Sequence, residues 1–212
     1  MKRGVLCCVL AAFLALPASV AAESSGMYIA PRLLVGTQDS GGVSSTPSGT
    51  FSQYSESVGG GALAVGYAIA PYPVRAELEA ALRSGTSDSK SGADWSSKQS
   101  IQLSTLFLNV YFDINTGTNI TPFIGLGLGA TRSTRELEAQ GPGYNYSVSK
   151  TEIILPAGNL GLGVSYAFSE NVAADLGYRY VYAGNSEAKT GGVKVSSSPY
   201  INEFYLGARF GF

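Results

Sequence analysis

Apolar and charged residues alternate along one stretch in the first half of the chain, Val74-Arg75-Ala76-Glu77-Leu78-Glu79-Ala80-Ala81-Leu82-Arg83. Every second position from Val74 is valine, alanine or leucine, whereas the positions between them carry two arginines, two glutamates and an alanine. Successive side chains of a β-strand point to opposite faces of the sheet. The pattern therefore predicts a strand with one apolar and one charged face, and we assign residues 73–84 to it.

Seven further stretches have the same period of two, which makes eight predicted strands. Each stretch is 11 to 13 residues long. Strands of soluble domains usually have about 5 to 6 residues, whereas tilted strands that cross a membrane need about 9 to 11. The length therefore favours membrane-crossing strands. In chain order they cover residues 27–37, 58–69, 73–84, 103–114, 121–132, 155–167, 172–183 and 200–212.

The connections between the predicted strands alternate between long and short, with 20, 3, 18, 6, 22, 4 and 16 residues in chain order. Outer-membrane barrels have short turns at the periplasmic rim and long loops at the extracellular rim, whereas a soluble sandwich has no reason to separate its loops in this way. We therefore predict an all-β fold, an eight-stranded antiparallel up-and-down transmembrane β-barrel with three short periplasmic turns. Its four long extracellular loops would be residues 38–57, 85–102, 133–154 and 184–199.

Residues 1–22 have the three parts of a secretory signal peptide. A positively charged start, Lys2 and Arg3, precedes 13 apolar and uncharged residues, and small residues follow up to Ala22. A run of this length is too short to cross about 30 Å of hydrocarbon as a helix, which favours a signal peptide over a transmembrane anchor. We expect cleavage after Ala22, or one residue earlier, to leave residues 23–212 as the mature barrel.

One face of the predicted sheet is apolar throughout, and the other carries the charges. In an outer-membrane barrel the apolar face contacts lipid and the polar face lines the interior. We expect Leu126, Leu162 and Leu176 on the lipid face near the middle of the bilayer. The interior would hold five arginines and five carboxylates that can pair with one another. This lumen charge network consists of Arg32, Arg75, Glu77, Glu79, Arg83, Asp113, Asp175, Arg179, Glu203 and Arg209.

A soluble barrel with its apolar face turned inward is the alternative, because its charges would then point into water. The alternation of loop lengths favours the membrane barrel, and so do the aromatic residues on the apolar face. These residues lie near the strand ends, where aromatic girdles of membrane barrels meet the two lipid–water interfaces. We place Tyr67, Phe112, Tyr166, Phe210 and Phe212 at the short-loop rim, and Tyr180 and Tyr182 at the long-loop rim.

The residue types present exclude several classes of function. The chain has no histidine, and its two cysteines, Cys7 and Cys8, lie in the predicted signal peptide. Histidine-dependent catalysis, thiol nucleophiles, structural disulfides and zinc sites with these ligands are therefore excluded. Lys+Arg total 14 and Asp+Glu total 15, which leaves no basic excess for binding nucleic acid.

Three local patterns could suggest chemistry, and each has a structural explanation. The glycines of Gly125-x-Gly127-x-Gly129 lack the spacing and the following helix of a nucleotide-binding loop. We therefore interpret them as small inward residues on a strand. Glu77 and Glu79 share a face with Arg75, which favours ion pairing over acid–base catalysis. We predict no enzyme activity and no cofactor. We also predict no metal site, because no ligand spacing is visible among the acidic loop residues Asp88, Asp94, Glu136 and Glu138.

Three segments resemble the opacity-protein/OmpA-like family of eight-stranded outer-membrane β-barrels. They are Val74-Arg75-Ala76-Glu77-Leu78-Glu79, the region from Leu108-Asn109-Val110-Tyr111-Phe112-Asp113 to Thr121-Pro122-Phe123-Ile124-Gly125-Leu126-Gly127-Leu128-Gly129, and Asp175-Leu176-Gly177-Tyr178-Arg179-Tyr180. The resemblance covers essentially all of residues 26–212. It implies a location in the outer membrane of a Gram-negative bacterium and a porin-family surface antigen. That family includes adhesins, surface antigens, stability-conferring barrels and narrow channels.

The C-terminal residues resemble the signal by which the barrel-assembly machinery recognises outer-membrane proteins. A terminal aromatic residue and apolar residues at alternate positions are present, although Leu206 replaces the polar residue usual before the glycine. The resemblance implies that the machinery is a partner during biogenesis. The predicted assembly signal consists of Phe204, Leu206, Gly207, Phe210 and Phe212.

Two functions are compatible with such a barrel. The first is a structural or adhesin-like surface protein with a side-chain-plugged lumen, whose loops contact a host, neighbouring cells or lipopolysaccharide. The second is a small passive diffusion channel for ions or small solutes. Eight strands leave an interior just wide enough for side chains to fill, and the charges that fill it can pair. We therefore favour the surface protein, which we expect to be monomeric and surrounded by outer-membrane lipid.

Overall fold

The computed structural model describes the backbone of residues 26–39, 44–46, 55–84, 86–91, 96–141, 144–184, 186–190 and 193–212. Side chains are described for residues 26–39, 55–84, 102–134, 152–184 and 198–212. No helix in these ranges is long and apolar enough to cross a membrane. The predicted signal peptide, residues 1–22, lies outside the described residues.

The described part of the chain forms twelve β-strands. Eight are long, and four short ones belong to the long connections of the sequence. In chain order they are β1 (Met27–Asp39), β2 (Ser44–Thr46), β3 (Ser55–Ala68), β4 (Val74–Arg83), β5 (Thr86–Ser91), β6 (Ser96–Asp113), β7 (Ile120–Gly141), β8 (Tyr144–Ser169), β9 (Val172–Tyr182), β10 (Ser186–Thr190), β11 (Val193–Ser197) and β12 (Tyr200–Gly211).

The eight long strands form a closed antiparallel barrel in the order β1, β3, β4, β6, β7, β8, β9 and β12. The ring closes because β12 pairs with β9 on one side and with β1 on the other. Closure gives every strand two hydrogen-bonded neighbours, and a sheet in lipid requires this because no water is present to satisfy a free edge. The structure confirms the predicted eight-stranded barrel.

The two faces of the barrel wall follow the predicted alternation. Along β4 the residues from Arg75 to Arg83 are buried at every second position, and those between are exposed or half-buried. Leu126, Leu162 and Leu176 lie on the outer surface, with 59–64% of each residue exposed. The apolar positions therefore face outward and the charged positions face the lumen, as the sequence pattern predicts.

Two of the predicted loops are instead continuations of the barrel strands. β7 and β8 stay paired from the barrel up to Gly141 and Tyr144, so most of the predicted loop 133–154 is a β-hairpin. In the predicted loop 85–102, β5 pairs with the first residues of β6. Above the bilayer both faces of a strand meet water, so these segments pair without the apolar alternation that marks a half-buried strand.

The first and last long connections meet in a second, three-stranded sheet. β10 pairs with β11, and β11 pairs with β2, which lies in the connection between β1 and β3. Because β1 and β12 are neighbours in the ring, this small sheet joins the connections that flank the seam where the barrel closes. The described backbone of the extracellular side is therefore largely organised as strands.

The aromatic residues of the outer surface differ between the two rims. At the short-loop rim Tyr67, Phe112, Tyr166 and Phe212 are exposed on four different strands or their ends, and Phe210 is half-buried. At the long-loop rim the outward aromatic side chains within the described ranges lie only on β9 and β12. Among the described side chains, the predicted second girdle is therefore confined to one side of the barrel.

Arginine at the lipid face should destabilise the barrel more than arginine outside the bilayer. We expect Leu126→Arg to lower the free energy of unfolding by roughly 2–4 kcal/mol, because a charge near the bilayer midplane loses its hydration. The measurement is equilibrium unfolding in phospholipid vesicles. Ser45→Arg in β2 is the control, and equal effects of the two substitutions would refute the assigned lipid face.

Candidate functional site

The periplasmic half of the lumen contains the first part of a chain of ion pairs. Arg75 on β4 donates two hydrogen bonds to the Asp113 carboxylate on β6, with Nε–Oδ2 2.6 Å and Nη2–Oδ1 2.8 Å. Glu77, two residues further along β4, accepts a hydrogen bond from the Tyr28 hydroxyl at 2.9 Å. Its Oε1 lies 3.7 Å from Arg75 Nη1. Together these contacts join β1, β4 and β6 at this level.

The middle of the lumen is crossed by two arginines that share a glutamate. Arg32 Nη2 on β1 contacts both carboxylate oxygens of Glu77, at 2.8 and 2.6 Å, and Arg32 Nη1 donates to Glu79. From β9, Arg179 Nη1 donates to the other oxygen of Glu79 at 2.6 Å. Because β9 and β4 lie four strands apart in a ring of eight, the Arg179–Glu79 pair spans the full width of the lumen.

The chain of ion pairs continues toward the extracellular side. Arg179 Nε donates to Glu203 on β12. Arg83 on β4 holds the same carboxylate with two hydrogen bonds, at 2.9 and 2.8 Å, and donates a third to the Thr105 hydroxyl at 3.1 Å. Eight charged residues are thus linked in one unbroken series. In order they are Asp113, Arg75, Glu77, Arg32, Glu79, Arg179, Glu203 and Arg83.

The remaining two predicted lumen residues form a separate pair near the periplasmic end. Arg209 Nε lies 3.1 Å from Asp175 Oδ2. The Ser165 hydroxyl bridges them, because it donates to Asp175 at 2.6 Å and accepts from Arg209 Nη2 at 2.9 Å. All ten charged residues singled out from the sequence therefore lie inside the barrel. Each arginine has a carboxylate partner and each carboxylate has an arginine.

Aromatic rings fill the space between the ion pairs. Tyr111 and Phe123 meet edge to face with their centroids 5.6 Å apart. The Arg75 guanidinium carbon lies 4.9 Å from the Tyr111 centroid and 5.3 Å from that of Phe123, and Arg32 lies 5.3 Å from the Tyr205 centroid. A cation over an aromatic face is attracted by the ring quadrupole, more strongly where water is excluded. The rings therefore stabilise the buried arginines as well as filling the lumen.

Each of the three inward rings, Tyr111, Phe123 and Tyr205, lies over a glycine of a neighbouring strand. Gly125 is opposite Tyr111, Gly163 opposite Phe123 and Gly177 opposite Tyr205 in the strand registers. A Cβ atom built on any of the three would approach the facing ring to 2.3–2.6 Å. The interior glycines thus make room for aromatic side chains of the adjacent strand.

Gly127 has no free space on its inward side. A Cβ atom there would lie 2.0 Å from Asn109 Oδ1 and 2.2 Å from Asn159 Nδ2. These two amides hydrogen-bond to each other across the glycine at 2.9 Å. Gly127 is therefore part of a packed contact, and the period of two in this segment reflects packing as predicted.

Alanine at an interior glycine should cost stability, whereas alanine at an outward glycine should not. We expect Gly177→Ala to lower the free energy of unfolding by about 1–3 kcal/mol, the usual cost of overpacking, because the new methyl group meets the Tyr205 ring. Gly158→Ala on the outer surface is the matched control, since the nearest atom to its Cβ is 3.5 Å away. Heat-dependent gel mobility of the folded barrels would report the difference, and equal midpoints would argue against the packing described here.

A layer of buried apolar side chains lies in the lumen on the extracellular side of the charges. Its side chains come from five strands, and Phe107, Val181 and Ile201 are completely buried. This layer could not be predicted from the sequence, because most of its members lie near the ends of the predicted strands, where the charged face gives way to isolated apolar residues. The apolar layer consists of Val58, Leu103, Phe107, Ala157, Val181 and Ile201.

The periplasmic end of the lumen is open by comparison. A cavity of about 460 Å³ lies at this rim, lined among others by Tyr28, Arg75, Asp113 and Arg209. The interior is therefore asymmetric, because its polar part opens toward the short turns and its apolar layer faces the long hairpins. Within the described residues, no cluster of three or more acidic residues or other metal ligands is arranged to hold a metal ion.

The predicted assembly signal lies on the last strand, which closes the ring. Phe204, Leu206 and Phe212 are exposed on the outer surface and Phe210 is half-buried there, whereas Gly207 is buried beside Arg32. The apolar positions of this segment therefore share the lipid face, as alternate positions of a strand must.

A closed barrel of eight strands with an apolar outer band, aromatic residues at its rims and a polar interior has the architecture of a transmembrane barrel of the Gram-negative outer membrane. The chain belongs to the outer membrane protein β-barrel domain family, whose model matches residues 6–212. This confirms the family resemblance predicted from the three segments, and with it the outer-membrane location.

Comparison with individual proteins gives a result consistent with this family. The outer membrane protein PagN of Salmonella typhimurium is 28% identical over 225 residues, which cover 96% of this chain and 90% of PagN. Neisserial surface protein A has a TM-score of 0.54 at 20% identity, covering 89% of this chain and 98% of its own. Ail of Yersinia pestis, solved with the heparin analogue sucrose octasulfate, has a TM-score of 0.51 at 15% identity, covering 89% and 99%. The two structures share the fold of this chain.

Proposed function

We propose that this protein is a non-enzymatic surface protein whose lumen is closed by its own side chains and whose extracellular strands bind a partner outside the cell. The observation that carries the proposal is the filled lumen. Eight charges linked across the barrel and an apolar layer above them leave the hairpins as the part of the molecule available to an external partner.

The extracellular hairpins have the reach that such a role requires. β7 continues to Gly141, about 30 Å beyond Arg132 at about 3.3 Å per residue. β8 returns alongside it, and the ion pair between Arg132 and Glu152 stands on the outer surface where the hairpin leaves the apolar band. Paired strands hold their shape without a partner, so a ligand would meet a preformed surface with little ordering cost.

The second candidate function, a small passive diffusion channel, needs a continuous wet path. The apolar layer opposes it, because Phe107, Val181 and Ile201 present no polar atom to an ion and are fully buried. The paired charges oppose it as well, because an ion in transit would have to break contacts of 2.5–2.9 Å between buried groups.

Further parts of the proposal concern biogenesis and environment. We expect export through the signal peptide of residues 1–22, recognition of β12 by the barrel-assembly machinery, and a monomer in the bilayer. The partner of the hairpins would be a host-cell or bacterial surface or lipopolysaccharide, and no nucleic acid is expected.

Shortening the longest hairpin tests the binding role. Thr134 and Glu152 face each other in register, so residues 135–151 can be replaced by Asn-Gly, which favours a two-residue turn. We expect bacteria that display the shortened barrel to lose binding to cultured epithelial cells and to immobilised lipopolysaccharide, while heat-dependent gel mobility shows the barrel intact. Unchanged binding, or no binding by the full-length protein above that of bacteria without it, would contradict the proposed role.

A further inference from the structure

Five aromatic side chains cluster on the outer surface at the long-loop rim, on β9 and β12. Tyr180 and Tyr200 stack with their ring centroids 5.5 Å apart and their planes 29° from parallel. Tyr178 and Phe204 lie 5.2 Å apart in a tilted contact. Tyr182 is next along the same face of β9 and is 38% exposed. We call this cluster the outer tyrosine patch, and it consists of Tyr178, Tyr180, Tyr182, Tyr200 and Phe204.

The position of the patch indicates what covers it. Phe204 continues directly into the lipid-facing apolar residues of β12, beginning with Leu206, so the patch is the upper end of the surface that contacts lipid. Tyr180, Tyr182 and Tyr200 lie further toward the long-loop rim than Phe204, where we expect the headgroups of the outer leaflet to begin. The occupant of the patch is therefore a molecule of that leaflet.

The polar side chains described beside the patch are hydrogen-bonding groups without positive charge. Asn202 accepts a hydrogen bond from the Tyr178 hydroxyl at 2.6 Å. Across the seam, Thr37 is opposite Asn202 and Asp39 is opposite Tyr200 in the register of β1 and β12. Within the ranges whose side chains are described, the outward basic residue at this rim is Arg132, which lies on β7 and is paired with Glu152.

The patch also has an open flank. Gly158 on β8 is opposite Tyr182 on β9, and the space where its Cβ would lie has no atom closer than 3.5 Å. A neighbouring molecule can therefore approach the side of the tyrosine rings as well as their faces.

We propose that the outer tyrosine patch is a binding site for the saccharide part of an outer-leaflet glycolipid. Exposed aromatic faces pack against the apolar faces of sugar rings, and amide, hydroxyl and carboxylate groups at their edge hydrogen-bond to sugar hydroxyls. Phosphate recognition would need arginine or lysine, which the described side chains around the patch do not supply. A general interfacial anchor would be distributed around the barrel, as the aromatic residues of the short-loop rim are.

The proposal concerns the lipid-facing wall and does not depend on whether the lumen conducts or what the hairpins bind. Its test compares the thermal stability of the full-length mature barrel in vesicles of three compositions. These are phosphatidylcholine alone, phosphatidylcholine with phosphatidylglycerol, and phosphatidylcholine with lipopolysaccharide. The midpoint of unfolding is read from heat-dependent gel mobility.

Two double variants separate recognition from general interfacial anchoring. Tyr180→Leu/Tyr200→Leu removes the stacked pair of the patch. Tyr166→Leu/Phe168→Leu removes an aromatic pair of similar exposure at the short-loop rim, where the centroids lie 4.9 Å apart. Asn202→Leu removes the amide and keeps the stacked rings, and so provides a patch variant with a smaller structural change.

We expect lipopolysaccharide to raise the midpoint of the unsubstituted barrel above that in either phospholipid mixture. This increment should be lost in Tyr180→Leu/Tyr200→Leu, reduced in Asn202→Leu and kept in Tyr166→Leu/Phe168→Leu. Equal increments in patch and control variants, or an equal rise with phosphatidylglycerol, would overturn the proposal. So would a cross-linked dimer in phosphatidylcholine that the patch variants abolish, because the occupant would then be a second copy of the chain.

Discussion

Arg179→Ala is expected to lower the free energy of unfolding of the barrel by about 3–5 kcal/mol, the range measured when one partner of a buried ion pair is removed. Arg179 is fully inside the lumen and contacts both Glu79 and Glu203. Its loss leaves each carboxylate with a single arginine and removes the contact that joins β9 to the opposite wall. Water that enters the space would reduce the loss toward the lower end of this range.

The control for this substitution is an arginine whose ion pair is exposed. Arg132→Ala removes the pair with Glu152, in which 54% of the arginine side chain is accessible, and such pairs contribute about 0–1 kcal/mol. Lys189→Ala in β10 provides a second control outside the lumen. Equilibrium unfolding in vesicles measures all three, and a loss for Arg179→Ala no greater than for the controls would contradict the network described here.

Phe107→Ala is expected to have an effect of similar size, for a different physical reason. The ring is completely buried in the apolar layer, and removal of a buried phenylalanine typically costs about 3–5 kcal/mol through lost contacts and the cavity that remains. The barrel wall on either side is hydrogen-bonded, which limits how far the site can collapse. Thermal and denaturant unfolding of the reconstituted barrel would measure the effect.

Phe112→Ala is the matched control for Phe107→Ala. Phe112 lies on the same strand but faces outward, with 48% of the residue exposed in the isolated barrel. Lipid chains can fill the space that its ring leaves, so the expected loss is smaller. Equal losses for the two substitutions would show that Phe107 does not occupy a packed interior layer.

The faces of the barrel could be predicted from the sequence because burial on one side of a strand imposes a period of two. The alternation in Val74–Arg83 is sufficient to place Arg75, Glu77, Glu79 and Arg83 on the lumen side. The same reasoning fails for the hairpins above the bilayer. Both faces of those strands meet water, so no periodic apolar signal marks where β7 and β8 end.

Which charges pair with which could not be predicted in the same way. Arg179 and Glu79 are separated by 100 residues, and their contact depends on the stagger of opposite walls after the ring has closed. The apolar layer could not be predicted from the sequence for a related reason. Val181 and Ile201 each look like an isolated apolar residue beside a run of tyrosines or charges, and they form a layer only when five strands place them at one level.

The outer tyrosine patch is a third feature that the sequence predicts only in part. Tyr180 and Tyr182 can be recognised from the sequence as outward residues near the end of one strand, which predicts their interfacial location. The confinement of the described outward aromatic residues of this rim to β9 and β12 becomes evident only when the eight strands are arranged in a ring.

Single-channel recording from the purified, full-length mature barrel in planar lipid bilayers tests the closed lumen most directly. The filled interior predicts no steady conductance steps under a range of applied voltages, with insertion verified independently by protease protection and heat-dependent gel mobility. Steady, ion-selective currents whose selectivity shifts on Arg179→Ala would contradict the closed lumen and establish the diffusion channel in its place.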